Sequence, residues 1–405
     1  MAIKRRNFLK LSSTAIVAGM TGKVFGHKVQ QGNPMVEEAV RKVGRLPVRK
    51  LGYSGRNTAF LLGAGDMSPL VVEASVRCGI NYWHKANRWM NSGAPETILK
   101  NRDAHYCQVT VDRVDGNHFE GRLDEEEHYR FVKEAVKKTG LSYFDDMQLH
   151  YGYHNTDELK NDRSFVRAFE RLKKEGLVKH LCLSQHSYDG SPRVENGQSA
   201  ARILTAVVDD GLYEHAQFMY SYGGDPEMDQ FIEYARKKNF GTIAMKTARG
   251  IGRMKEDQPF MDKLPEDVSP HNALVRWLST RTKLDTAVIR VRNLNEFAET
   301  YSGAGKELRA VDEEAINIMT AEADKSVCRL CGKCQSSCPS HIPITDILRF
   351  ERYAMDDHDW ARATKLYTGL PVQGNMCTDC GTCIQNCPLK LQIPSKLAKA
   401  HIMLG

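Results

Sequence analysis

The chain has 405 residues, more than one ordinary hydrophobic core holds, so a large unit with a smaller companion is expected. At 41 % hydrophobic and 26 % charged it reads as globular, without the compositional bias of a disordered or fibrous chain. The net charge of +7 is modest and the basic residues are scattered, which argues against a nucleic-acid role.

The first signal in chain order is Arg5-Arg6-Asn7-Phe8-Leu9-Lys10, followed by a weakly apolar stretch from Leu11 to Met20. Paired arginines before Phe-Leu-Lys and a mild stretch rich in Ser, Thr, Ala and Gly look like a twin-arginine export signal over residues 1–26. The expected location is therefore the periplasm. The apolar stretch is too short to span a bilayer, so no transmembrane segment is expected. No clean Ala-x-Ala site is present, which leaves both cleavage near Gly26 and an uncleaved anchor open.

Residues 48–305 alternate short β-like runs with amphipathic helical stretches. The strands expected are Thr58–Leu62, Asn81–Lys85, Tyr106–Val111, Asp146–His150, His180–Ser184, His215–Met219, Gly241–Lys246 and Thr286–Arg290. Helices are expected at Glu125–Lys138, Asp162–Lys174, Gln198–Asp209, Glu227–Lys238 and Asn272–Thr280. Strands and helices in this rhythm predict a (β/α)8 barrel, an α/β TIM barrel whose chemistry sits at the C-terminal ends of the strands.

A second unit, residues 312–400, opens with a helix at Asp312–Asp324 and holds most of the 11 cysteines. Cys328-x2-Cys331-x2-Cys334-x3-Cys338-Pro339 is repeated as Cys377-x2-Cys380-x2-Cys383-x3-Cys387-Pro388. Each is the ligand run of a [4Fe–4S] cluster of the bacterial type, whose fourth cysteine serves the other cluster. The runs thus predict two [4Fe–4S] clusters, one on Cys328, Cys331, Cys334 and Cys387, the other on Cys377, Cys380, Cys383 and Cys338. A zinc site or a disulfide framework fits this spacing poorly. Helical segments around Thr345–Met355 and Trp360–Tyr367 fill the long spacer, so the unit reads as a small, mainly helical two-cluster ferredoxin domain. Export of a folded, cofactor-loaded chain suits clusters assembled before transport. Cys78, Cys107 and Cys182 are expected to be buried thiols.

The barrel segment resembles the aldo/keto reductase family, in its bacterial branch with a C-terminal ferredoxin domain. The resemblance rests on Arg49-Lys50-Leu51-Gly52-Tyr53-Ser54-Gly55, Leu61-Leu62-Gly63-Ala64-Gly65, Gly79-Ile80-Asn81-Tyr82-Trp83 and Asp145-Asp146-Met147-Gln148-Leu149-His150. It continues through Leu183-Ser184-Gln185-His186, Gln217-Phe218-Met219-Tyr220, Ile243-Ala244-Met245-Lys246 and Arg276-Trp277. The family uses a Tyr, Lys, Asp and His tetrad with NADPH, the Lys lowering the Tyr pKa. Here His84 stands for the Asp, Trp89 for the Tyr and Thr110 for the Lys, and His150 alone is kept. The coenzyme motif after the last strand reads Val288-Ile289-Arg290-Val291-Arg292-Asn293, with Glu299 retained and the usual glycine absent. Arg290, Arg292 and Glu299 are what remains to meet a coenzyme phosphate, and these departures count against NAD(P)H.

The candidate catalytic residues are His84, Lys85, Trp89 and His150, with the histidines as an acid/base or binding pair and Trp89 as a stacking wall. Convergence of His84, His150, His186 or Asp112 on a metal, and Tyr82, Tyr220 or Tyr222 as a substitute acid, are further readings. His271 reads as a helix-cap surface residue. The function expected is an exported iron–sulfur oxidoreductase of the aldo/keto reductase type, passing electrons between a small carbonyl or hydroxyl compound, sugar-like in one form, and an external carrier or partner protein. The alternatives are a non-catalytic electron-transfer or binding protein on a retired barrel, and an NADP-dependent reductase with a rebuilt site.

Overall fold

The computed structural model describes residues 33–405 except positions 53, 66, 112–122, 187–197, 224, 225, 249, 252, 253, 255, 256 and 357. The export-signal segment and Asp112 lie outside the described residues.

A helix at Pro34–Val43 opens the described chain, with Asn33 accepting from the Met35 amide and Pro34 pre-setting the first turn. The antiparallel hairpin β1 (Val48–Leu51) and β2 (Arg56–Ala59) follows. Seven parallel strands come next in chain order: β3 (Tyr82–Trp83), β4 (Tyr106–Val111), β5 (Phe144–Leu149), β6 (Val178–Gln185), β7 (His215–Met219), β8 (Gly241–Met245) and β9 (Thr286–Ala287). Residues 61–65 close the ring. Leu61 and Gly65 bridge to Ala287 and Val291, and Gly63 bridges to Trp83. The seam is secured by Tyr301, whose hydroxyl donates to the carbonyls of Leu62 (2.8 Å) and Ile289 (3.0 Å). Gly65 has φ +108°, and a Cβ there would lie 2.2 Å from the Val291 carbonyl oxygen, so the seam needs glycine. The expected first strand is therefore corrected. Thr58 and Ala59 pair back onto Arg49 and Val48 in the hairpin, and the eighth barrel strand lies just beyond them.

The hairpin packs against the starts of the strands. Gly52 donates to Asp285, just before β9. Arg56 grips Asp146 with two hydrogen bonds of 3.1 and 2.7 Å inside the barrel. The next layer up is an uncharged polar network: Thr110 donates to Gln148 (3.1 Å), and Gln148 donates to Gln217 (3.2 Å).

Helices ring the barrel because their caps and apolar stripes agree. Glu125–Thr139 starts with a reciprocal Asp124–Glu127 capping box and stops at Gly140 in the left-handed region. The helix Ala310–Ser326 packs on Pro270–Thr280, and its Ala315, Ile316, Met319 and Ala323 belong to the barrel core. A separate core begins at Leu330 and gathers the helices Ile344–Met355, Trp360–Thr368 and Ile393–Leu404. This second unit is duplicated in conformation as well as sequence. Leu330 and Asp379, Gly332 and Gly381, and His341 and Lys390 all take positive φ at matching positions of the two cysteine runs. A helix of 12 residues follows each run.

Candidate active site

The eight cysteines of the paired runs fall into two groups of four, and each group crosses between the runs. Burial raises the Cys334 thiol far above its usual range, reinforced by Cys328, Cys331 and Cys387 and, less, by Cys383 of the other group. Cys383 is raised to about 11 by burial and then by Cys377, Cys338 and Cys380. A small cavity is bounded by Cys338, Cys377, Cys380 and Cys383 together. Crowded thiols of this kind fit iron–sulfur ligands, which bind as thiolates. Leu330, in its left-handed turn, donates its amide to Cys328 Sγ at 3.2 Å, a contact suited to a metal-bound sulfur. Cys334, Cys383 and Cys387 are buried, whereas Cys380 is exposed.

A cavity of about 450 Å³ occupies the barrel mouth. Strand ends build its floor: His84 follows β3, His150 follows β5, His186 follows β6 and Lys246 follows β8. Three residues there hold left-handed backbone without being glycine: Lys85 (φ 50°), Tyr151 (φ 72°) and Lys246 (φ 54°). Each such residue costs on the order of 1–2 kcal/mol, and strain of this kind gathers where side chains must be aimed. Lys85 Nζ donates to His150 Nε2 at 3.2 Å, which places the imidazole proton on Nδ1.

The roof comes from the cysteine unit. On the helix Ile344–Met355 and just past it, Arg349, Arg352, Tyr353 and Asp356 share one face and line the cavity, joined by Arg362 from the next helix. Tyr353 and Tyr151 meet hydroxyl to hydroxyl at 3.5 Å, and Arg362 donates to the Tyr151 hydroxyl at 3.0 Å. Burial works against ionisation of Tyr353, but Lys246, Arg362 and Arg349 outweigh it and hold its phenol well below the usual tyrosine range. Tyr151 moves the opposite way, first through burial and then through Tyr353.

Burial pushes the pKa of His84 well down, helped by Lys85 and Arg88. The same holds for His186, helped by Lys246, His150 and Arg349. Both rings are therefore neutral. His84 Nε2 and both ring nitrogens of His186 are buried with no hydrogen-bond partner. A second cavity lies beside the first and is lined by Cys328, Cys331 and Pro388. Lys246 and Arg352 wall both cavities.

Two family models match the chain: "Aldo/keto reductase family" over residues 70–304 and "4Fe-4S dicluster domain" over residues 327–392. The chain belongs to the aldo/keto reductase family. Among solved structures it is similar to a Pseudomonas aeruginosa protein assigned as an aldo-keto reductase, at 17 % identity over 65 % of this chain and 97 % of the other, with a TM-score of 0.47. An aldo-keto reductase from Bacillus halodurans in its holo form is similar at 14 % identity over 67 % of this chain and 96 % of the other, with a TM-score of 0.49. No curated protein matches. The two domains together make this aldo/keto reductase an iron–sulfur oxidoreductase.

The family's tetrad positions have separate fates. His84, Lys85 and His150 line the mouth cavity. Trp89 does not act as its wall: the indole packs edge-on against Trp83 at 5.7 Å and donates Nε1–H to the His84 carbonyl at 3.2 Å, behind the cavity lining. Thr110, at the lysine position, is locked into the glutamine network. Arg290, Arg292 and Glu299 line the cavity, with Arg292 paired to Glu296 and Glu299 accepting from Ser269 at 2.7 Å. His271 also lines the cavity and is not simply a surface cap.

The substitute acids read from sequence lie elsewhere. Tyr82 is fully buried against His215 and Gln108, and Tyr220 donates to Asp229. Outside the cysteine runs, the one tight group of metal-ligating side chains among the described residues is Asp146, Cys182 and His215, in the lower barrel. Arg56 already neutralises Asp146, so a cation there would face a guanidinium. Sequence reasoning missed Tyr151, Lys246 and Tyr353. The signal that was available is the spacing of Arg349, Arg352, Tyr353 and Asp356 at i, i+3, i+4 and i+7.

Proposed function

We propose that this aldo/keto reductase is an exported iron–sulfur enzyme that interconverts a hydroxyl and a carbonyl group at the barrel mouth, exchanging electrons with an external one-electron carrier rather than with NADPH. The observation that carries the reading is the shared wall. Lys246 and Arg352 line both the mouth cavity and the cavity against Cys328 and Cys331. When bound, two [4Fe–4S] clusters supply single-electron transfer, the second lying toward the exposed Cys380.

The remaining work falls to side chains. The oxidation removes two protons as well as two electrons: Tyr353 takes the proton of the substrate hydroxyl, the unpartnered Nε2 of His84 takes the proton from the carbinol carbon, and the two electrons leave one at a time to the external carrier, all of them returning in the reductive direction. Lys246, Arg362 and Arg349 set its ionisation. Tyr151 steadies the phenolate by donating to it, and Arg362 orients Tyr151. His84 and His150 bind and orient the polar groups of the substrate. The ferredoxin-type domain covers the site and limits access of water.

Viologen-coupled assays test this reading directly. Reduced viologen should drive carbonyl reduction by the holoprotein, and Cys387→Ser should abolish it. Activity supported by NADPH alone, at the same rate in Cys387→Ser, would return the protein to ordinary coenzyme chemistry. For export, Arg5→Lys with Arg6→Lys should retain a reporter fusion in the cytoplasm, and continued export would reject the signal.

A further inference from the structure

His186 follows β6, is 3 % exposed, and lines the mouth cavity. Its backbone is fixed by Gln185. That side-chain amide donates to the carbonyls of His186 (2.9 Å) and Tyr153 (2.8 Å) and accepts from the Tyr153 amide at 3.1 Å. Gly152, at φ +58°, makes the approach possible, because a Cβ there would collide with the Gln185 amide oxygen. The imidazole itself is held by aromatic neighbours. Tyr151 lies 4.5 Å away, tilted by 37°, and His150 meets it edge-on at 5.6 Å.

Backbone and ring are thus both held, and neither hold uses a ring nitrogen. Nδ1 and Nε2 of His186 are buried with no hydrogen-bond partner, and among the described residues no other histidine has both nitrogens in this state. His105, His180 and His215 each spend a ring nitrogen on a neighbour, Trp83, Glu214 and Tyr82 respectively. Polar atoms left this way are costly, so what fills the cavity has to answer them. His84 adds a third such atom, Nε2, on the lining of the same cavity.

The chemistry of the missing partner follows from the state of the ring. Burial keeps His186 neutral, with Lys246, His150 and Arg349 acting in the same direction. A neutral imidazole offers one N–H donor and one lone-pair acceptor, at separate positions of the ring. A carboxylate answers the donor and sets an anion against the lone pair. An ammonium group answers the lone pair and opposes the donor. Hydroxyl groups both donate and accept, so they answer both nitrogens.

We propose that His186 is a specificity-determining residue whose two ring nitrogens hold hydroxyl groups of the substrate other than the one being oxidised, so that the site takes a polyol or sugar in preference to a simple alcohol. This rests on the oxidoreductase reading of the mouth cavity and adds a substrate class to it. Tyr353 and His84 handle the reacting carbon, and His186 recognises the hydroxyl groups around it.

The test is calorimetric titration of the full-length holoprotein with glucose, xylitol and myo-inositol, and with tetrahydropyran-2-methanol as the control that lacks the extra hydroxyls. At least one of the polyhydroxylated compounds should bind about tenfold or more tighter than the control, because the analogue leaves buried polar atoms unpaired. His186→Phe keeps a flat ring against Tyr151 and removes both nitrogens. It should cut that advantage to below about threefold, with the visible absorbance kept and the melting temperature at or above the wild-type value. If this variant loses its absorbance or melts early, His186→Leu takes its place; if both do, the ring is structural and the proposal falls. Equal binding of the control and the polyhydroxylated compounds, or an advantage that survives in the folded variant, would show that ordered water alone answers the nitrogens and would overturn the proposal. Binding is read without turnover. A His186-dependent preference in a protein inactive with every carrier would sink the oxidoreductase reading alone, whereas carrier-linked turnover without that preference would sink this assignment alone.

Discussion

The Tyr353 hydroxyl, carried by the cluster-binding unit, lies 3.5 Å from the Tyr151 hydroxyl at the end of barrel strand β5. This is a contact between two domains at the barrel mouth. The tetrad positions at Trp89 and Thr110 can no longer transfer or tune a proton. A phenol held among Lys246, Arg349 and Arg362 can.

Tyr353→Phe should lower turnover by about 10²–10⁴-fold, with a much smaller change in KM and no loss of visible absorbance. Because the surrounding cations lower the Tyr353 pKa, hydroxyl oxidation should rise with pH through that lowered value and then level off. Carbonyl reduction, which needs the protonated phenol, should fall over the same range. Lys246→Met removes the leading cation, so both limbs should move to higher pH. An unchanged pH–rate profile in Lys246→Met would show that Tyr353 is not the titrating group.

The Arg56–Asp146 pair ties the hairpin to the inside of the barrel and is almost wholly buried. Removing one partner leaves an uncompensated buried charge. Asp146→Ala should therefore destabilise the fold by about 3–5 kcal/mol, read from urea unfolding. Burial alone would raise the Asp146 pKa, but Arg56 more than offsets it and the net shift is downward. Its contribution is thus fully present above the ordinary aspartate value and is lost as pH falls through the lowered folded value. A variant with wild-type stability near neutral pH would contradict this role.

The crossing of the cysteine runs has a quantitative consequence. The spacing predicts that Cys387 joins Cys328, Cys331 and Cys334 although it lies in the second run, and Cys387 lies close enough to Cys328 and Cys334 to raise both thiols. Cys387→Ser and Cys334→Ser should each reduce iron from about eight to about four atoms per chain, with the same residual spectrum. Different residual spectra would mean that each run serves its own cluster.

Much of this was legible in the sequence, for local reasons. The cysteine spacing, the βα rhythm and the strand-end positions of His84 and His150 depend on short stretches of chain. The hairpin boundary was misplaced because residues 56–65 form one extended run, and only pairing distinguishes its hairpin part from its barrel part. Trp89 was misassigned because spacing places it on the right loop, whereas the short helix Ala86–Trp89 turns the indole back onto Trp83. The roof was hidden for a different reason. Helical spacing puts Arg349, Arg352, Tyr353 and Asp356 on one face, but what that face covers is set by docking of residues far apart in sequence.

Neither retained coenzyme residues nor the family alone decides the electron source. Arg292 is committed to Glu296, and Glu299 to Ser269. Titration with NADPH at up to millimolar concentration should therefore leave its fluorescence unchanged. Saturable enhancement in the micromolar range would revive coenzyme chemistry.

The central claim is that the barrel mouth and the cysteine unit form one redox site. The most direct measurement is anaerobic stopped-flow mixing of dithionite-reduced holoprotein, freed of excess reductant, with a panel of sugar-derived carbonyl compounds. The account predicts that absorbance at roughly 400 nm recovers with at least one of them, and that Tyr353→Phe slows the recovery by orders of magnitude. Reduction of the same compounds by NADPH at full rate, while the cluster absorbance stays unchanged, would contradict it.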